Sequence, residues 1–154
     1  MTTIKLLWVD NDLFEDLNEL RITLYLSDDY EADFALNATE GFNRLRENTY
    51  DIVIVDLRLP PGPHNAWLKY AHHSYEEYGY ALLKEISEQR DTLFAHLSNT
   101  RFGVYSIEDL RDAPRELFEP PVGILRDNYC QKTDRASDDE FFGFLRKLRA
   151  SCSQ

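Results

Sequence analysis

Cysteine is scarce. The 154 residues include two, Cys130 and Cys152, too few for the disulfide framework of a small secreted domain or for a zinc cluster, so both are read as reduced thiols. Basic charge is also short, with 17 Lys and Arg against 28 Asp and Glu and a net charge of −11. Such a chain repels phosphate backbones and anionic headgroups, which excludes nucleic acid and membrane surfaces as direct partners. Long hydrophobic runs are missing: no stretch approaches the ~20 apolar residues of a membrane helix. Met1-Thr2-Thr3 leads into Ile4 without a basic and apolar leader, so a cytoplasmic location is expected. No repeat or low-complexity tract breaks the chain. With 43% hydrophobic residues, it can fill one core, and a single domain over 1–154 is expected.

Short apolar runs alternate with helical patterns, the signature of βαβ units. Ile4-Lys5-Leu6-Leu7-Trp8-Val9 reads as the first strand. Leu13, Leu17, Leu20 and Leu24 then recur at helical spacing, with Asp12 as a candidate N-cap. Residues 31–36 alternate like a half-buried edge strand, and Asn37 with Glu40 suggests a capping box for a helix carrying Phe42 and Leu45. Ile52-Val53-Ile54-Val55 is an unbroken β-branched run suited to the sheet centre. Pro60-Pro61-Gly62-Pro63 then stops regular structure, and a helix opens at Gly79 with Leu82, Leu83 and Ile86 inward. Residues 92–97 read as the fourth strand and 106–117 as a helix capped by Ser106. For the fifth strand, 122–125 and 129–131 are both open. Ser137 and Glu140 suggest the cap of a last helix bearing Phe141, Phe144, Leu145 and Leu148.

Five strands alternating with five helices imply an α/β fold, a three-layer doubly wound parallel sheet. Ligands of such sheets sit beyond the carboxyl ends of the strands. Those ends carry Asp10-Asn11-Asp12, Asp56 and Ser98-Asn99-Thr100, and Lys132 precedes the last helix. Crowding Asp10 against Asp56 costs Coulomb energy that a divalent cation offsets, and Mg2+ takes one or two carboxylates plus waters and phosphate oxygens. A hydroxyl and an ammonium opposite the acids suit the remaining phosphoryl oxygens.

These residues resemble the receiver domains of two-component response regulators. Val9-Asp10-Asn11-Asp12 is similar to the receiver acidic turn, and Ile52-Val53-Ile54-Val55-Asp56-Leu57-Arg58-Leu59-Pro60 to the strand bearing the phospho-acceptor. Gly79-Tyr80-Ala81-Leu82-Leu83-Lys84-Glu85-Ile86 resembles the helix that follows, His96-Leu97-Ser98-Asn99 the strand with the switch hydroxyl, and Tyr129-Cys130-Gln131-Lys132 the last strand. The resemblance spans essentially the whole chain and implies a flavodoxin-like (βα)5 fold acting in signalling, not as an enzyme. It further implies that Asp56 accepts a phosphoryl group from a sensor histidine kinase or a phosphotransfer protein. Mg2+ would be held by Asp10, Asn11, Asp56 and the backbone carbonyl of Arg58. Ser98 and Lys132 would bind the phosphoryl oxygens. Tyr129 would turn inward to rearrange a face around the fourth and fifth helices, for an unknown downstream protein, with a homodimer left open. Arg58 and Thr100 occupy positions that influence how long the phosphoryl group survives.

Departures from the family stand beside the matches. Asn11 replaces a second acid and weakens the expected metal site, and Thr133 follows Lys132 in place of a proline. The segments at about 60–78 and about 101–127 are expanded. His72-His73 with His64 is a poor metal site, because adjacent helical residues point about 100° apart. Trp67, Tyr70, Tyr75, Tyr78 and Tyr80 read as packing of the inserted segment. Two alternatives follow from the same residues. One is a pseudo-receiver that binds partners without phosphorylation; the other is a haloacid-dehalogenase-type phosphatase with Asp10 as nucleophile, Ser98 as its second motif and Lys132 as its third.

Overall fold

A computed structural model of the chain describes residues 3–70, 77–132 and 138–152. Five strands, β1 (Ile4–Val9), β2 (Tyr30–Ala35), β3 (Ile52–Val55), β4 (Arg101–Ser106) and β5 (Tyr129–Gln131), form one sheet in the order β2-β1-β3-β4-β5. All four pairings are parallel. Every side chain of β3 is buried, as its aliphatic run requires when both faces are covered. β2 lies at one edge with its middle residues half-buried.

Two cores sandwich the sheet. Leu7, Val9, Val53, Val55 and Val104 face helices α2 (Ala38–Glu47) and α3 (Tyr78–Glu88), while Leu6, Trp8, Ile52, Ile54 and Tyr105 face α1 (Asn18–Tyr25) and α4 (Asp138–Cys152). The alternation follows from the period of two along a strand. Asn37 caps α2 through its side-chain oxygen, which accepts from Glu40 N–H at 2.8 Å, while the Glu40 carboxylate accepts from Leu36 N–H at 3.1 Å. The reciprocal bond of the expected capping box thus falls one residue earlier. Ser137, the expected cap of α4, lies outside the described residues.

Three expectations are corrected. Residues 92–97 are not a strand: they end in a 3-10 turn (Ala95–Leu97), and β4 begins at Arg101. Phe94 and Leu97 are buried three residues apart, the spacing of a tight turn and not of a strand. Residues 106–117 do not form a helix. Ser106 ends β4, Ile107 is 56% exposed, and only a short 3-10 turn (Arg115–Phe118) puts Leu117 into the core, followed by Val122 and Ile124 in irregular chain. Among the described residues there are accordingly four α-helices, and none joins β4 to β5. Nor does Asp12 cap α1: the helix starts at Asn18, after a turn in which the Asp12 carbonyl accepts from Glu15 and Leu17 N–H. The fifth strand is 129–131, not 122–125.

The inserted segment after β3 packs as its aromatics suggest. Trp67, Tyr70 and Tyr78 are buried. Trp67 Nε1 donates to Thr39 Oγ1 at 2.9 Å, and Thr39 donates to the Pro61 carbonyl at 2.7 Å. Tyr75, His72 and His73 lie outside the described residues. His64 is half-buried against Phe42 and accepts from Ala66 N–H through Nδ1, a packing role. Among the described residues no helix is long and apolar enough to cross a membrane.

Candidate functional site

Four adjacent strands deliver the polar groups. Val9 pairs with Val55, Val55 with Val104, and Ser106 with Gln131, so Asp10, Asp56, Ser106 and Lys132 leave the sheet side by side at its carboxyl edge. The backbone ladder continues one residue past the strands: Asp56 N–H donates to Val9 O at 3.0 Å and Lys132 N–H to Ser106 O at 2.7 Å. α3 then closes on the acidic loop. Tyr78 and Gly79 donate their N–H groups to Leu59 O and Leu57 O. A Cβ on Gly79 would lie 2.0 Å from the Asp56 carbonyl oxygen, so this approach requires glycine.

Asp10 is fully buried and Asp56 is 3% exposed. Lys132 Nζ donates to Asp10 Oδ2 at 2.7 Å and to Asp56 Oδ2 at 3.1 Å. Asp12 N–H donates to Asp10 Oδ1 at 2.9 Å, and Arg58 N–H to Asp56 Oδ1 at 3.2 Å. Ser106, at the end of β4, also acts on the Asp56 carboxylate and favours its charged form. One ammonium therefore faces two buried carboxylates, leaving an excess negative charge. Burial, with the Asp56 charge adding to it, pushes Asp10 from 3.8 up to about 7 against the pull of Lys132. Burial likewise raises Asp56, opposed by Lys132, the Arg58 N–H and Ser106. Burial alone would lower Lys132, but the two carboxylates outweigh it and hold the ammonium charged.

Among the described residues no three acidic, His or Cys side chains converge on a metal position, so the acids form a pair. Two carboxylates in charge excess, each oxygen with a further lone pair, are the hard donor set that Mg2+ takes with waters and phosphate oxygens. The residues present fit such an ion. Asn11 is exposed next to Asp10.

The hydroxyl is not where the sequence pattern placed it. Ser98 is exposed in the turn before β4, at the opposite edge of the sheet from Asp10, and Ser106 occupies the place expected for it. Thr100 is at that far edge too, donating to Tyr50 O at 2.6 Å; the position two beyond the hydroxyl belongs to Glu108. The dehalogenase-type arrangement of Asp10, Ser98 and Lys132 is therefore not assembled. Arg58 does lie at the site, its Nε donating to Glu108 Oε1 at 2.6 Å. Tyr129 is half-buried, and its hydroxyl donates to Glu108 O at 2.7 Å. One signal for Ser106 is visible in hindsight: Val104-Tyr105-Ser106 repeats the pattern of an apolar run ending in a chemically active residue, as in Trp8-Val9-Asp10 and Ile54-Val55-Asp56.

No family model and no curated protein sequence matches this chain. Solved structures do. The receiver domain of Francisella response regulator 1452 is 20% identical, with 97% of this chain and 98% of that chain covered and a TM-score of 0.62. A CheY-like response regulator receiver domain protein from Methanospirillum hungatei JF-1 is 18% identical over 99% and 95% of the two chains, with a TM-score of 0.63. The chain has the receiver-domain fold. The Thermotoga maritima response regulator TrrA, 19% identical over 95% and 99% of the chains at a TM-score of 0.62, was solved in complex with Mg2+-BeF. What this chain shares with these receivers is the flavodoxin-like parallel sheet and the full length of the fold. Its own connection from β4 to β5 runs through 3-10 turns without an α-helix.

Proposed function

We propose that this chain is a phosphoryl-accepting receiver in which Asp56 takes a phosphoryl group from a sensor histidine kinase or phosphotransfer protein and thereby switches a protein-binding surface. The observation that carries the proposal is the Lys132 ammonium bonded to both Asp10 and Asp56, with Ser106 ending the neighbouring strand beside them. An Asp56 carboxylate oxygen forms the new O–P bond as the P–N bond to the donor imidazole breaks. The imidazole keeps the bonding pair and takes up a proton. Lys132 and Ser106 then bind the phosphoryl oxygens in place of the Asp56 carboxylate, as preorganised donors that need little rearrangement.

Asp10, Asp56, the Arg58 carbonyl and Asn11 are the residues that would hold Mg2+. Bound there, the ion neutralises charge on the acids and on the transferring phosphoryl group. Asn11 supplies an amide oxygen without a charge, so the site binds the ion less tightly than a three-acid site would. The Ser106 hydroxyl oxygen also accepts from Glu108 N–H at 3.4 Å, and Glu108 O holds Tyr129. Movement of Ser106 onto the phosphoryl group therefore reaches Tyr129 through one residue, and phosphorylation selects between two arrangements by these contacts.

Incubation with acetyl phosphate and Mg2+, followed by mass spectrometry, tests the reading. One phosphoryl adduct is expected in the wild type and none in Asp56→Asn. An unmodified wild-type protein would favour the phosphorylation-independent binding module instead.

A further inference from the structure

A cleft of about 660 Å3 opens between α3 and the segment leaving β4. It exists because residues 107–128 bend through 3-10 turns instead of laying a helix against α3. Among the described residues, five acidic ones line it, Glu77, Glu88, Glu108, Asp112 and Glu116, against three basic ones, Arg58, Lys69 and Lys84. Arg58 is paired with Glu108, and Lys69 with Glu85 and Glu88, so that Glu77, Asp112 and Glu116 against Lys84 set the remaining charge of the lining. The cleft thus presents an acidic rim around apolar surface from Leu57, Pro114 and the Tyr80 ring. Burial, and after it the charges of Glu116, Glu88 and Glu119, raise the Tyr80 hydroxyl above its ordinary pKa.

We propose that this cleft is the output surface and that its occupant is a basic segment of a partner protein, arginines or lysines interspersed with aliphatic residues, admitted when the Arg58–Glu108 ion pair opens. The proposal rests on the receiver reading above for what opens the pair. A guanidinium laid on Tyr80 between these carboxylates gains cation–π and charge-assisted contacts, and the net charge of −11 steers such a segment inward. Glu108 connects the cleft to the acidic site at three points: its carboxylate holds Arg58, its N–H donates to Ser106 Oγ, and its carbonyl holds Tyr129. A phosphoryl group on Asp56, two residues from Arg58, competes for the guanidinium. Glu108 then loses its cation, is repelled by the new anion and turns its carboxylate to the cleft.

A short blocked peptide alternating arginine with leucine serves as the probe, titrated into 15N-labelled protein alongside its glutamate–leucine counterpart and spermidine. The expected result is saturable binding of the basic peptide alone, with amide shifts centred on Tyr80, Glu88, Asp112 and Glu116. Binding should weaken in Glu88→Gln/Glu116→Gln. It should tighten about two- to fivefold in Arg58→Ala, which opens a partly exposed ion pair without phosphorylation, and similarly on phosphorylation of the wild type. No saturable binding, shifts scattered over the whole acidic surface, equal binding by the double variant, or a match by spermidine would each overturn the proposal. If Asp56 never carries a phosphoryl group but Arg58→Ala binds more tightly, the cleft stands and the receiver reading falls. If Asp56 carries the adduct and no peptide binds, the receiver reading stands and the cleft proposal falls.

Discussion

Replacing Asp10 by Asn should stabilise the protein at alkaline pH, although it removes a buried side chain with two hydrogen bonds. The folded state holds the Asp10 proton up to about pH 7, while the free carboxyl has a pKa of 3.8. Between those values the folded chain binds more protons than the unfolded one. Stability from this group is therefore complete below about pH 4 and is lost as pH rises through about 7. The difference of roughly three pK units corresponds to at most about 4 kcal/mol. Asn carries no charge, leaves Lys132 paired one-to-one with Asp56, and its Oδ1 can accept from Lys132 or from Asp12 N–H. Urea unfolding of wild type and Asp10→Asn from pH 5 to 8.5 reads the effect. The variant should gain up to about 4 kcal/mol over wild type at pH 8 and only about 1–2 kcal/mol at pH 5, because the wild type loses stability progressively from about pH 4 to about pH 7. A variant less stable than wild type at pH 8, or one whose pH slope matches the wild type, would refute the assignment of a crowded, under-neutralised acid pair.

Gly79→Ala should destabilise by about 3 kcal/mol or more and weaken every ligand of the acidic loop, because its Cβ meets Asp56 and Leu57 backbone; urea midpoints check the first effect. Ser106→Ala should slow phosphoryl adduct formation by at least about tenfold in timed mass spectra through loss of one oxygen-binding donor, whereas Ser98→Ala should leave the rate unchanged. Asn11→Asp should tighten Mg2+ binding by about five- to tenfold in a fluorescence or calorimetric titration, since it adds one charge near the ion.

The parts of the fold that are legible in the sequence are those where one local rule dominates. β3 is aliphatic throughout because it is covered on both faces, and β1 ends where its apolar run meets Asp10. Lys132 stands out because it follows an aromatic three residues earlier and precedes a strongly patterned helix. β4 hides for an identifiable reason. Gly103 interrupts its apolar pattern, yet it is there so that α4 can approach, since a Cβ would sit 2.9 Å from Leu148 Cδ1 and 3.0 Å from Phe144. The preceding Thr92-Leu93-Phe94-Ala95-His96-Leu97 offers more apolar residues and draws the strand assignment to itself, carrying Ser98 and Thr100 with it. Ser106 followed by Ile107-Glu108 imitates a helix start, and no local pattern reveals that tertiary packing replaces that helix with turns anchored by Leu117, Val122 and Ile124. The Arg58–Glu108 pair joins residues fifty apart, a contact that periodicity does not encode.

The central claim, that Asp56 is the acceptor and that Lys132 and Ser106 are its phosphoryl-binding donors, is tested most directly by a crystal structure with Mg2+ and beryllofluoride. The account expects the beryllium on an Asp56 carboxylate oxygen, with fluorines contacting Lys132 Nζ and Ser106 Oγ and the ion between Asp10 and Asp56. A bare Asp56 still bonded to Lys132 in crystals grown at saturating beryllofluoride would contradict it.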